Sequence, residues 1–328
     1  MRKIFFLIIF VSTTVFAQEI KFTGYGSFGY KFIDRLRIIE YNQETYFEGK
    51  FQAEIEINKQ IEAQLDFRAN SDDQQAKLRE VSAKFSYLDF LTFEGGHVKR
   101  PFGSEYLVSS DDLISVERSY LTEISEELGY SGRSTGIMAY HKAKKDEAHS
   151  YYLFLYKNNN LQNGIVGRYV HHINDLEIGG NYFLLNTGGD YPIVSHAFAA
   201  NIMYDKKDFS AELELMLLQD PVEGIRRRLQ NLDDVVFGWG GRFTSILEIN
   251  TNGKIIEEIE PFILLSYYQP DTKVVAQHTF QTLLGINFYF DKDVRLRLNG
   301  DALFTRNEFN NTYSTHDSRF IVEVQVRY

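Results

Sequence analysis

The chain has 328 residues, no cysteine, 21 tyrosines, 27 phenylalanines and only 5 prolines, and its 35 Lys+Arg against 45 Asp+Glu give a net charge of -10. Its mean hydropathy is -0.30 even though 15% of the residues are aromatic. The lack of cysteine excludes a disulfide framework, and the acidic balance argues against a nucleic-acid partner.

The opening MRKIFFLIIFVSTTVFAQEI carries Arg2 and Lys3, an apolar core from Ile4 to about Phe10, and a small-residue exit at Ala17. That is the layout of a secretory signal peptide. Residues 1–17 are therefore expected to be a leader, and residues 18–328 a single mature domain. No later stretch is long and apolar enough to span a bilayer as a helix. An exported chain of this composition is then either soluble or a closed membrane barrel.

Period-two alternation follows almost end to end, with no helix-period stretch of comparable length. After a first strand near 20–32, the segment YFEGKFQAEIEIN sets Phe47, Phe51, Ala53, Ile55 and Ile57 on one parity and Glu48, Lys50, Gln52, Glu54 and Glu56 on the other. Beyond a tight NKQ turn, Ile61, Ala63, Leu65, Phe67 and Ala69 alternate with Glu62, Gln64, Asp66 and Arg68. Strands are then read near 77–88, 90–99, 134–143, 147–157, 163–173, 175–186, 194–205, 208–218, 236–249, 254–268, 278–290, 293–305 and 318–328. With 44–58 and 61–70 the total is sixteen.

The last of these, RFIVEVQVRY, sets Phe320, Val322, Val324 and Val326 against Glu323, Gln325 and Arg327 and stops on Tyr328. A half-buried strand of a soluble sandwich would alternate in the same way. The connections separate the two cases. Every second one is short (NKQ, KAKKDEA, INDL, DKKD, INTNGK, FDKD), while those between include 219–235, 305–317 and about 100–133. Outer-membrane barrels alternate short periplasmic turns with long external loops, and a soluble sheet protein has no reason to. The expected fold is all-β: a transmembrane antiparallel β-barrel of about sixteen strands. The closing aromatic fits an interface girdle.

The third long connection, RPFGSEYLVSSDDLISVERSYLTEISEELGYSGR, is too aromatic and too mixed in charge for a disordered segment. A connection of that length is uncommon and usually functional. Folded inward, it would narrow an otherwise open lumen. A surface loop is the alternative.

At this point the residues show a family likeness. The stretch 93–119 resembles the signature of the phosphate-selective porin O and P family, with Gly96, Lys99, Pro101, Phe102, Gly103, Glu105, Ser109, Ser110, Glu117, Arg118 and Ser119 on matching positions and Val98 where Phe is usual. A second stretch, LLGINFYFDKDVRLRLNGD at 283–301, resembles the late hairpin of that family through Gly285, Asn287, Tyr289 and the following VRL. The resemblance implies a sixteen-stranded barrel with an inward third loop, usually a homotrimer, and a terminal aromatic that serves barrel assembly.

The solute is left open by the residues. Parity points Glu48, Glu54, Glu56, Glu62 and Asp66 inward with Lys50 and Arg68, and Arg295, Arg297 and Arg327 inward with Asp301 and Glu323. Closure makes these walls neighbours, so cross-strand ion pairs would neutralise much of the charge. The candidate solute-contacting residues at the constriction are Lys99, Arg100, Asp111, Asp112, Glu117, Arg118 and Arg133. At the pore mouth they are Arg226, Arg227 and Arg228 in EGIRRRLQN. Structural ion pairs compete with each: Arg118 with Glu117, Arg100 with Glu105, and the arginine run with Glu223, Asp233 and Asp234. The loop acids, Glu123, Glu126 and Glu127 among them, could equally favour cations.

No nucleophile elbow, zincin helix or P-loop is present in the sequence, and the adjacent His171 and His172 point to opposite faces of their strand, so they cannot share a metal. The expectation is an outer-membrane porin of a diderm bacterium. It is embedded in outer-membrane lipid, passes small hydrophilic solutes or anions such as phosphate by diffusion, and needs no cofactor and performs no catalysis. The alternative is a non-conducting surface barrel acting as an adhesin or structural protein.

Overall fold

The computed structural model describes residues 19–328 apart from 36–39, 72–74, 145–146, 159–161, 190–191, 234, 252, 275–276 and 307–312. The leader expected at 1–17 lies outside the described residues. The first strands are β1 (Glu19–Arg35), β2 (Glu40–Asn58), β3 (Ile61–Asn70), β4 (Gln75–Leu88), β5 (Leu91–Lys99) and β6 (Arg133–His141). They are followed by β7 (His149–Lys157), β8 (Asn163–Ile173), β9 (Leu176–Asn186), β10 (Val194–Lys206), β11 (Phe209–Gln219) and β12 (Phe237–Leu247). The chain ends with β13 (Ile249–Asn250), β14 (Glu258–Gln269), β15 (His278–Tyr289), β16 (Val294–Arg306) and β17 (Tyr313–Arg327).

Successive strands pair antiparallel, and β17 returns to β1 with Tyr25 opposite Arg327 and Asp34 opposite Ser318. The sheet is thereby closed and has no edge to template aggregation. Both β12 and the two-residue β13 pair with β14. They are two pieces of one stave, so the barrel has sixteen, as the alternation predicts. The largest boundary differences are at strand starts, where β2 begins at Glu40, β14 at Glu258 and β17 at Tyr313.

Alternation sorts the two faces. Phe22, Phe28, Phe47, Phe51, Phe320, Val324 and Val326 are exposed on the outside, whereas Glu323 and Gln325, between the last three, are buried inside. A continuous apolar outer wall is stable against lipid and not against water. Tyr328 follows the last strand. It exchanges backbone hydrogen bonds with Gly24 and gives its hydroxyl proton to the Lys50 carbonyl at 3.1 Å, so the final aromatic is held at the seam of the barrel.

The connection between β5 and β6 folds into the barrel. It contains two helices, α1 (Ser104–Leu107) and α2 (Tyr120–Glu127), the second capped by Ser119, whose hydroxyl accepts from the Thr122 amide. A third helix, α3 (Pro221–Leu229), stands between β11 and β12 and starts on Asp220, whose carboxylate accepts from the Val222 and Glu223 amides.

On one side the interior is not polar. Phe154, Tyr156, Val166, Phe183, Leu185, Met216 and Leu218 face inward from β7 to β11, and Phe102, Leu121 and Tyr130 of the loop pack onto them in one cluster. Phe102, Tyr130 and Phe183 touch pairwise at ring separations of 5.9, 5.8 and 5.3 Å. These three loop and wall aromatics are fully buried. Each contributes roughly 1.5–3 kcal/mol relative to exposure. The loop is therefore fixed to the β7–β11 side, and open space is left on the other.

Candidate functional site

The space left open is a lumen cavity of about 820 Å³, walled by β1 to β7, β16 and β17 on one side and by the folded-in loop on the other. Among the described residues, Lys or Arg lines it at eleven positions and Asp or Glu at eight. Its lining thus carries a cationic surplus of three, opposite in sign to the chain as a whole.

The loop is suspended by hydrogen bonds from β11 and from β14 to β16. Arg297 donates to the Leu113 and Ser115 carbonyls, Asn299 accepts from the Val116 amide at 2.7 Å, and Asn287 donates to the Ile114 carbonyl at 3.0 Å. Gln281 and Ser266 receive the first amides of α2, from Tyr120 and Leu121. Glu214 receives the Ser104 amide at 2.7 Å. Each bond satisfies a backbone group that the inward fold removes from water.

Several candidate residues belong to this suspension. Arg100 is buried, donates to the Gly129 and Ser131 carbonyls behind α2, and lies over the Tyr156 and Phe183 rings. It does not line the cavity. Its partners are carbonyls, not Glu105. Asp111 accepts from Ser109 and from Lys50, the latter at 3.2 Å, while its carbonyl takes Arg295 and Arg327. Asp112 stands 3.4 Å from Arg327.

Glu117 does not pair with Arg118. It is bridged by Lys31 at 2.6 Å and Arg319 at 2.7 Å, one on each side of the closing seam. Burial opposes its charge, but these two cations outweigh that and hold its carboxyl below the usual range. Burial likewise opposes the charge of Asp111, and its bonds to Ser109 and Lys50 reverse the sign. Both acids are therefore ionised at neutral pH and already neutralised by partners.

The remaining candidates do line the cavity. Lys99 donates to the Leu107 and Val108 carbonyls, and Arg118 to the Glu105 and Val108 carbonyls with its guanidinium 5.0 Å from the centre of the Tyr106 ring. Arg133 pairs with Glu80 at 2.7 Å and donates to the Tyr106 hydroxyl at 3.2 Å. Lys99 and Arg118 have no carboxylate within 4.0 Å among the described residues. Tyr106 is the hub on which Arg118 and Arg133 converge.

The expected wall neutralisation is present. Arg297 pairs with Glu323, Arg68 with Glu48, Lys84 with Glu62, and Lys50 stands 4.0 Å from Asp66. Alternation alone does not find Arg79, a further cation in the lining.

At the mouth, Arg226 and Arg227 both bond Glu223 across one turn of α3, Arg227 also reaches Asp271 at 2.9 Å, and Arg228 donates to the Pro192 carbonyl. Bonds from the two arginines draw the Glu223 carboxyl down to about 2. Asp233 instead pairs with Lys273 at 3.1 Å, and Asp234 lies outside the described residues.

The motif that carries the family likeness maps onto the suspension. Gly96 has φ 149°, and a Cβ there would lie 2.1 Å from the Val81 carbonyl oxygen; Gly103 has φ 76°. Buried Glu105 accepts from the Ser119 amide and hydroxyl, and Arg118 closes onto the Glu105 carbonyl. These residues set the shape of the loop.

No protein-family model and no curated protein sequence matches the chain, so the likeness to the phosphate-selective porin O and P family rests on the two motifs. The fold is similar to that of an anion-selective porin from Comamonas acidovorans, with a TM-score of 0.71 at 10% identity over 94% of this chain and 99% of that one. It is also similar to the outer membrane channel DcaP of Acinetobacter baumannii, with a TM-score of 0.67 at 7% identity over 94% and 97%. OpdO of Pseudomonas aeruginosa matches with a TM-score of 0.59 at 9% identity over 95% and 98%. At these identities the likeness is one of fold: a sixteen-staved porin barrel.

Proposed function

We propose that the chain is an outer-membrane porin through which small hydrophilic solutes diffuse, anions in preference to cations, with selectivity set where the inward loop faces β4 to β6. The observation that carries this reading is the charge of the lumen: a cationic surplus in the lining, with Lys99 and Arg118 lacking carboxylate partners inside a chain that is acidic overall. A cationic constriction concentrates anions, and contacts weak enough to release them permit flow. The apolar outer wall and the porin fold of its neighbours support the outer membrane as the location. A homotrimer is proposed with it, in keeping with the neighbour described as the trimer form of a Vibrio cholerae outer membrane protein.

The test is single-channel recording of the purified protein in a planar bilayer, with the reversal potential taken under a salt gradient and phosphate then added. An anion-selective current supports the reading, and block by phosphate would extend it to that ion. A cation-selective current would discard the anion preference. No current would leave a plugged barrel, such as an adhesin or structural protein.

A further inference from the structure

We propose that Arg79 is a specificity-determining residue of the lumen, placed there by an irregularity in β4; the proposal rests on the diffusion-channel reading above. Between β3 and β4 the register is regular down to Asp66 opposite Glu80, but the next pair is Phe67 opposite Leu78. Arg79 is the extra residue of a β-bulge. Leu78 and Val81 are both exposed on the outer wall, and Arg79 and Glu80 between them both line the lumen cavity. A regular strand would turn one of those two charges toward lipid, at a cost of roughly 2–4 kcal/mol for an arginine at mid-membrane. The bulge removes that conflict and adds one inward side chain.

Three of the neighbouring carboxylates are already taken by other cations. Glu80 is held by Arg133 through contacts of 2.7 and 2.8 Å, Glu48 by Arg68, and Asp66 has Lys50 at 4.0 Å. Among the described residues Arg79 has no carboxylate within 4.0 Å. The charges acting on it most strongly are Arg133 and Arg68, both of like sign, with Glu126 on the attractive side. A half-buried guanidinium with two like-charged neighbours is short of counter-charge, which a passing anion supplies. Unlike Lys99 and Arg118, Arg79 is not tied to loop carbonyls, so its fork of donors is free to face solute. The class of ligand is a small oxyanion, carboxylate or phosphate in type, met transiently.

Arg79→Gln, Arg79→Lys and the unaltered chain are compared by reversal potential under a potassium chloride gradient, with the folded barrel of each checked by its heat-resistant mobility in detergent. The anion-to-cation permeability ratio of Arg79→Gln is expected to fall about threefold, the order that one unit charge a few ångströms from the path exerts through water. Arg79→Lys, which keeps the charge, should hold within a small margin of the unaltered ratio. An unchanged ratio in Arg79→Gln, or an equal fall in Arg79→Lys, overturns the assignment of Arg79 while leaving the channel reading intact. An unaltered chain that carries no current, or prefers cations, overturns both.

Discussion

The Arg242 guanidinium reaches Glu214 at 3.2 Å and Glu212 at 2.7 Å, and neither Arg242 nor Glu214 is more than 2% exposed. The same arginine donates to the Ser104 hydroxyl at 3.0 Å while Glu214 takes the Ser104 amide, so one buried ion pair holds the start of the inward loop. Glu105, 4.0 Å from Arg242, ties in the start of α2 through Ser119. Burial opposes the charge of Glu105, but Arg242 and Arg118 prevail and keep its carboxyl below the usual range. Removing the arginine strands buried carboxylates, a change that costs about 3–5 kcal/mol. Arg242→Leu is expected to lower the unfolding free energy by that order, read as a lower midpoint in denaturant, and to make the single-channel current noisier. A midpoint equal to the unaltered protein would show that the pair does not support the loop.

Arg100 makes a contrasting case, because its type and position suggest a solute contact and its surroundings do not. Its Nη1 and Nη2 donate to the Gly129 and Ser131 carbonyls, and a Cβ at Gly132, where φ is 113°, would lie 2.4 Å from that Nη2. Arg100→Gln should cost about 1.5–3 kcal/mol, the range for hydrogen bonds to a charged group, and leave the sign of selectivity unchanged. Gly132→Ala should destabilise in the same direction, through the positive φ and the clash together. A large change in permeability ratio with normal stability would place Arg100 in the path instead.

What the sequence makes legible divides along physical lines. Strand number and facing follow from period two, since Glu323 and Val324 sit where a two-residue repeat must put them. The partner of a charged loop residue has no such rule. Glu117 stands beside Arg118 in sequence yet bonds Lys31 and Arg319, 86 and 202 residues away, because closure of the barrel brings β1 and β17 together beneath the loop. Arg79 is hidden for a different reason. The run Leu78, Arg79, Glu80, Val81 places two charges between two apolar residues, and that breach of alternation is the trace a bulge leaves; regular parity counting discards it. The apolar side of the lumen is likewise unsignalled, since Phe154 and Phe183 read as ordinary barrel residues until Phe102 and Tyr130 are set against them.

The arginines of α3 predict a salt-dependent effect. Glu223 neutralises part of their charge through Arg226 and Arg227, so the helix acts at a distance and not as a binding site. Arg226→Gln combined with Arg228→Gln should lower conductance for anions at 10 mM salt, where charges are felt over about 30 Å, and leave it unchanged at 1 M, where the range is about 3 Å. Folding stability should not move measurably, since the Arg226 pair is exposed. Equal losses at both salt levels would mean that the substitutions alter the channel itself.

Glu123 is the loop acid whose ionisation should change near neutrality. It lies on α2 among the cavity-lining residues, with no ion pair within 4.0 Å among the described residues. Enclosure within the barrel is the main influence and raises its carboxyl to about 7; Glu117 adds to this, Arg319 opposes it, and Asp301 and Glu105 push it further up. Below pH 7 it is therefore neutral and above pH 7 it bears a negative charge. Glu117 and Asp111, both held below the usual range, stay ionised throughout that window. Lowering the pH from 8 to 6 removes one negative charge from the lining, and the anion-to-cation permeability ratio should rise about two- to threefold. The same raised carboxyl gives a stability term of opposite slope to that of a paired acid: the folded state binds more protons than the unfolded one between the usual carboxylate range and pH 7, so stability falls as pH rises through that window. In Glu123→Gln both responses should flatten, with the ratio fixed near the low-pH value of the unaltered protein. A pH step that persists in Glu123→Gln would assign the titration to another group in the lumen.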